Sequence, residues 1–212
     1  MLNWMTMSSG LRSAHHMTGT ANPVFTHLES NRFLWTKTAQ GFPWDIQLYD
    51  NQYIYLWVTE LDWQNPRSYK VFHSRKSGKF NLPLVPRYAR GGYPGSTITV
   101  SDSTYQIHSD CDTYVTKNLG YVVNELWGPY REKLGGDLPD DLTTLVISYR
   151  YTCNASYTQC LNKEEYHFAK PYGLVKWQHE ALRANGTYGP PDKVTVFNRV
   201  EAGQVIPLTT CF

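Results

Sequence analysis

No stretch of this 212-residue sequence approaches the roughly 20 apolar residues that a helix needs to span a bilayer. Charge of one sign is also missing. Twenty Lys and Arg stand against eighteen Asp and Glu, a net charge of +2. That balance lacks the basic footprint of a nucleic-acid binder. Charged residues make up only 18% of the chain while aromatics reach 15%, which excludes a disordered chain. The start, Met1 to Gly10, has no apolar run of the kind a secretory leader carries. This leaves a trimmed mature form or a misassigned start as the expectation. The Gly-x-Ser-x-Gly elbow, the phosphate-binding Gly-rich loops and the His-Glu-x-x-His zinc pair are all absent. The common serine-hydrolase, nucleotide and zinc-protease readings are therefore poor choices. No cofactor or metal site is expected.

Cysteine is scarce but even in number: Cys111, Cys153, Cys160 and Cys211. Cys153 and Cys160 bracket the polar stretch 154–159, so a turn between two strands would bring them within disulfide reach. Cys111 and Cys211 could then form a second bridge, although four cysteines allow three pairings. Six intervening residues are too many for a zinc pair of the usual spacing. Two glycosylation sequons, Asn154-Ala-Ser156 and Asn185-Gly-Thr187, lie in turn-like segments. Together these features point to a secreted or extracellular protein.

The pattern along the chain is mainly β. Phe33 to Lys37, Trp44 to Tyr49 and Tyr53 to Thr59 read as short strands, the last two as a hairpin. Segment 74–96, with Gly78, Pro83, Pro86 and Gly91 to Gly95, reads as a long loop. Ser96 to Val100 and Thr104 to His108 read as two strands around a turn. From residue 143 onwards a meander of about four strands is expected, over Thr143 to Thr152, Glu164 to Phe168, Gly173 to Leu182 and Lys193 to Phe197. One segment has a helical period. Leu119, Val122, Val123, Leu126, Trp127, Tyr130 and Leu134 recur at spacings of three and four, which predicts a helix over about 117–134. The expected architecture is an antiparallel β-sandwich or partly open barrel with that helix packed on it. Residues 1–24 read as a flexible N-terminal arm and 25–212 as a single β-rich domain.

The aromatic surplus is the main compositional pointer to function. Flat aromatic rings stack on the apolar faces of sugars, and nearby polar groups bond the hydroxyls. Trp63, Tyr88 and Tyr93 lie in loop-like contexts and are the candidate ligand-binding residues, whereas Tyr53, Tyr55 and Trp57 share a strand face that suits a core. Among carboxylates, Glu60, Asp62, Glu125, Glu164 and Glu165 are available for a glycosidase pair. Glu164 and Glu165 are adjacent on a strand, so they should point to opposite faces.

Gln106-Ile-His108, together with Thr59-Glu-Leu61 upstream and Tyr166-His-Phe-Ala-Lys170 downstream, resembles the motifs of alginate lyases of the polysaccharide lyase 7 type. The resemblance covers about a dozen residues, and no Arg flanks Thr59-Glu-Leu61. It implies a jelly-roll sandwich. It also implies a site in which Gln106 and His108 lie by a uronate and Tyr166 moves protons, which makes these three the candidate catalytic residues. The leading expectation is a glycan- or polysaccharide-binding domain. A polysaccharide lyase or glycosidase is the enzyme alternative. A structural or surface-assembly protein, meeting protein partners or its own copies through aromatic patches, is the third.

Overall fold

The computed structural model describes the strands given below, all residues from 113 to 201, and side chains from 122 to 196. The strands are β1 (Arg12–Met17), β2 (Val24–Glu29), β3 (Arg32–Lys37), β4 (Pro43–Tyr49), β5 (Tyr53–Glu60), β6 (Ser68–Ser74) and β7 (Leu82–Pro86). They continue with β8 (Ser96–His108), β9 (Thr113–Glu132), β10 (Leu142–Cys153), β11 (Cys160–Ala169), β12 (Gly173–Ala181) and β13 (Lys193–Glu201). All pairings are antiparallel, in the order β4-β3-β2-β1-β13-β12-β11-β10-β9-β8-β6-β5-β7, with a further pairing of β4 to β5. Strands β9 to β13 form an antiparallel sheet of five strands.

The expected hairpin at 44–59 is present as β4 and β5, with Leu48 opposite Tyr55. The four-strand meander is present as β10 to β13. Two expectations about the middle of the chain need correction: segment 74–96 contains β7, and the two short strands expected over 96–108 are one strand of 13 residues. Within residues 1–24 the structure describes β1 and the first residue of β2.

The helix expected over 117–134 is also corrected. Residues 113–132 form β9, a strand of 20 residues paired with β8 on one side and β10 on the other. The apparent helical period arises because both faces of β9 are covered. Val122, Val123, Asn124 and Leu126 are all buried, so apolar residues occur as doublets and the two-residue alternation is erased. Propensity favours the strand as well. Tyr121, Val122, Val123 and Trp127 suit a pleated surface. Gly120, Gly128 and Pro129 would weaken or break a helix interior.

Gly128 sits where the register between β9 and β10 shifts, between the Trp127–Val146 and Tyr130–Thr144 pairs. Its φ is +107°, a conformation that L side chains rarely adopt. A Cβ there would also lie 2.8 Å from the Thr144 carbonyl oxygen. Gly128→Ala is expected to cost about 2 kcal/mol through strain at this bulge. Urea unfolding measures it, and a midpoint unchanged from the native chain would remove the bulge from the account.

The connection after β9 folds back onto the sheet. Leu138 is buried against Leu142, Ala169 and Val175, with Leu134 and Tyr172 packed alongside. At the other end of the strands, Cys153 and Cys160 face each other across β10 and β11 and form a disulfide, as the spacing suggested. Val123 and Tyr157 pack against that bridge. Cys111 and Cys211 lie outside the described residues. No helix among the described residues is long and apolar enough to cross a membrane.

Candidate functional site

Register divides the side chains of β9 to β12 between two faces. Tyr149, Glu164 and His179 lie opposite one another in a row across β10, β11 and β12. The neighbouring row on the same face is Ile147, Tyr166 and Trp177. The opposite face carries Val146, His167 and Lys176 in one row and Ser148, Glu165 and Gln178 in the next. Glu164 and Glu165 therefore do point to opposite faces.

On the first face, Glu164 is the centre of an aromatic cluster. Its Oε2 accepts a hydrogen bond from the Tyr166 hydroxyl at 3.0 Å and from the Trp177 indole N–H at 3.1 Å. The Tyr151 phenol is a third neighbour. Burial, together with the negative charge of Glu164, pushes its pKa well above the usual tyrosine value. Tyr149 and Tyr151 stack with ring centroids 4.9 Å apart. Tyr166 is buried, whereas Tyr151, Glu164, Trp177 and His179 are half-buried. His179 is held at both ring nitrogens, with Nδ1 2.6 Å from Asp192 Oδ1 and Nε2 3.3 Å from Asn162 Oδ1. Burial opposes ionisation of Asp192, but the hydrogen bond and charge of His179 hold its pKa below the usual carboxylate range. Aromatic surface, a fixed carboxylate and an imidazole thus share one patch of sheet.

The second face carries a ladder of charges. Lys163 Nζ lies 3.0 Å from Glu165 Oε1 and 2.9 Å from Glu180 Oε2. Gln178 Nε2 donates to Glu165 at 2.7 Å and to Glu180 at 2.9 Å. His167 Nδ1 lies 2.9 Å from Glu132 Oε2, which also accepts from the Thr144 hydroxyl at 2.7 Å. Arg150 pairs with Glu125 at 3.0 Å, and Lys176 lies 3.7 Å from Glu132. Cations and carboxylates alternate, so the ladder largely neutralises itself. Burial opposes the charge on His167, but its bond to Glu132 and the nearby Glu165 raise its pKa above the usual value. Burial also opposes ionisation of Glu165, yet Lys163 and His167 hold its pKa down to about 2. The pairing is incomplete at two points, since the buried His167 Nε2 and Arg150 Nε make no hydrogen bond, with Nε2 3.7 Å from Glu165 Oε2. Among the described residues no cluster of His, Cys, Asp and Glu has the geometry to hold a metal ion.

Of the residues singled out from sequence, Tyr166 belongs to the Glu164 cluster. Gln106 and His108 lie on β8, with their side chains outside the described set. Register sets them apart from Tyr166. Gln106 is opposite Tyr114 of β9, whereas the level of Tyr166 runs through Ile147 and Leu126 to Ser96. Ten residues along β8 separate the two levels, on the order of 30 Å. Trp63, Tyr88 and Tyr93 lie outside the described residues. Sequence reasoning missed Tyr151, Trp177 and His179 as cluster members. Trp177 and His179 lie on the strand expected over 173–182, but only the strand register brings Glu164 between them. No family model, no curated protein and no solved structure matches the chain.

Proposed function

We propose that this chain is a secreted glycan-binding β-domain, and that the patch around Glu164 is a sugar-binding surface. The observation that carries the reading is the half-buried pair Trp177 and Tyr151 set about a carboxylate that their own polar groups hold in place. Such rings offer an apolar face for a sugar to stack on, while Glu164, Asn162 and His179 supply polar partners for its hydroxyls. The Cys153–Cys160 disulfide and the exposed sequon residues Asn154 and Asn185 support an extracellular setting. The β4–β5 pairing supports a barrel over a sandwich, since it returns the sheet to its first strand.

Incubation with a panel of neutral and uronate-containing polysaccharides tests the proposal. Depletion of the protein without shortening of the chains is the expected result. Shortened chains would instead mark an enzyme, and unsaturated ends a lyase. Absence of both, with a stable oligomer in solution, would favour the assembly reading. For a polysaccharide that binds, Trp177→Ala is expected to weaken affinity about tenfold, by loss of one stacking ring. Trp177→Phe should retain most of it. Affinity electrophoresis of the two variants checks this, and equal retardation of Trp177→Ala and the native chain would move the site elsewhere.

A further inference from the structure

We propose that Asn185 carries an N-linked glycan and that Asn154 does not. The proposal rests on the secreted reading above and selects between two sequons that the sequence alone leaves equivalent. Both lie at the same end of the sheet, in the β10–β11 and β12–β13 connections, and both asparagines are exposed. Their local geometries differ. In the Asn185 turn, Asn185 Oδ1 accepts hydrogen bonds from the Thr187 backbone N–H at 3.1 Å and from the Thr187 hydroxyl at 2.8 Å. The acceptor side of the amide is thereby fixed by the very hydroxyl that defines the sequon. Its Nδ2 has no partner among the described residues. Gly186, between Asn185 and Thr187, has φ +79°, and a Cβ built on it would meet nothing within 4 Å. These bonds span two residues, so the segment can adopt the same turn before the sheet is complete.

Asn154 has the opposite arrangement. Its Nδ2 donates to Thr158 Oγ1 at 3.0 Å, and its Oδ1 accepts from the Thr158 and Gln159 backbone N–H groups at 2.9 and 3.3 Å. The sequon hydroxyl, Ser156 Oγ, bonds Thr158 Oγ1 at 2.9 Å and not Asn154. The loop is closed by the Cys153–Cys160 bridge. Using the Asn154 nitrogen would mean breaking the loop's own cap.

The co-reactant is a lipid-linked oligosaccharide diphosphate. Asn185 Nδ2 attacks the anomeric carbon, the C–N bond forms and the anomeric C–O bond breaks. The lipid diphosphate leaves with the electron pair, and one amide proton passes to a base of the transferring enzyme. Nothing is oxidised or reduced. The test is secretion of the full chain from a eukaryotic cell behind a cleavable leader, with intact mass measured before and after glycan removal by an N-glycosidase. The expected result is a single glycan that Asn185→Gln abolishes, that Thr187→Ala also abolishes, and that Asn154→Gln leaves in place. Thr187→Ala keeps the asparagine, so it guards against a folding defect in the first variant. A glycan that persists in Asn185→Gln or vanishes in Asn154→Gln overturns the proposal. A secreted, disulfide-bonded chain without any glycan overturns it while leaving the secreted reading intact. A chain retained in the cell with Cys153 and Cys160 reduced overturns both.

Discussion

Replacing Phe168 with alanine is expected to lower stability by about 3–5 kcal/mol, a large share of what holds a domain of this size together. Phe168 has no exposed surface and stands between Leu145 of β10 and Leu174 of β12, both buried. A covered sheet cannot collapse into the space that a lost ring leaves, because its backbone is fixed on both sides by strand pairing. The cost therefore includes the cavity as well as the lost transfer of apolar surface. Leu161, on the same strand but 56% exposed, is the control. Leu161→Ala should change stability by no more than about 0.5 kcal/mol. Urea unfolding of both variants, read by far-ultraviolet circular dichroism, separates the cases. A loss below about 1 kcal/mol for Phe168→Ala would mean that the core can repack around this site.

The contrast between Phe168 and Leu161 also shows what the sequence made legible. Strands with one covered face announce themselves by alternation. Strands covered on both faces do not, and the 117–134 segment took on a helical appearance for that reason. The polar residues of the meander show a second effect. Gln178 and Glu180 are buried because Gln178 bonds Glu165 of the neighbouring strand and Glu180 of its own, and Lys163 of the neighbouring strand pairs with Glu180. Pairing of that kind depends on register, which composition does not contain. One clue to register was present. The Cys153–Cys160 turn fixes two opposed positions, and stepping back along β10 while stepping forward along β11 brings Tyr149 opposite Glu164 and Ile147 opposite Tyr166. The further step to Trp177 and His179 needed the β11–β12 register, whose shift beside Phe168 has no cysteine to mark it.

The charged face makes the last prediction, because its groups titrate in opposite directions. His167 is held above its usual value of 6.5. Its contribution to stability is complete below pH 6.5 and is lost as pH rises through the higher native value. Glu132 and Glu165 are held below their usual 4.5, Glu165 at about 2. For Glu132, hydrogen bonds from His167 and Thr144 outweigh the burial that opposes its charge. The carboxylate contributions are complete above pH 4.5 and are lost as pH falls toward 2. Within this network, stability should therefore peak between about pH 4.5 and 6.5. Glu132→Ala is expected to cost about 3 kcal/mol in that window, since it strands the charge on His167 and the hydroxyl of Thr144. It should also flatten the decline above pH 6.5, because His167 then loses the partner that raises its pKa. Removing both members together should cost less than the sum of the single changes, with a coupling of about 1–2 kcal/mol. Urea unfolding from pH 4 to pH 9 for the native chain, both single variants and the double variant measures each quantity. Additive costs with parallel pH profiles would show that His167 and Glu132 are neighbours without being partners, and the ladder would then owe its arrangement to packing alone.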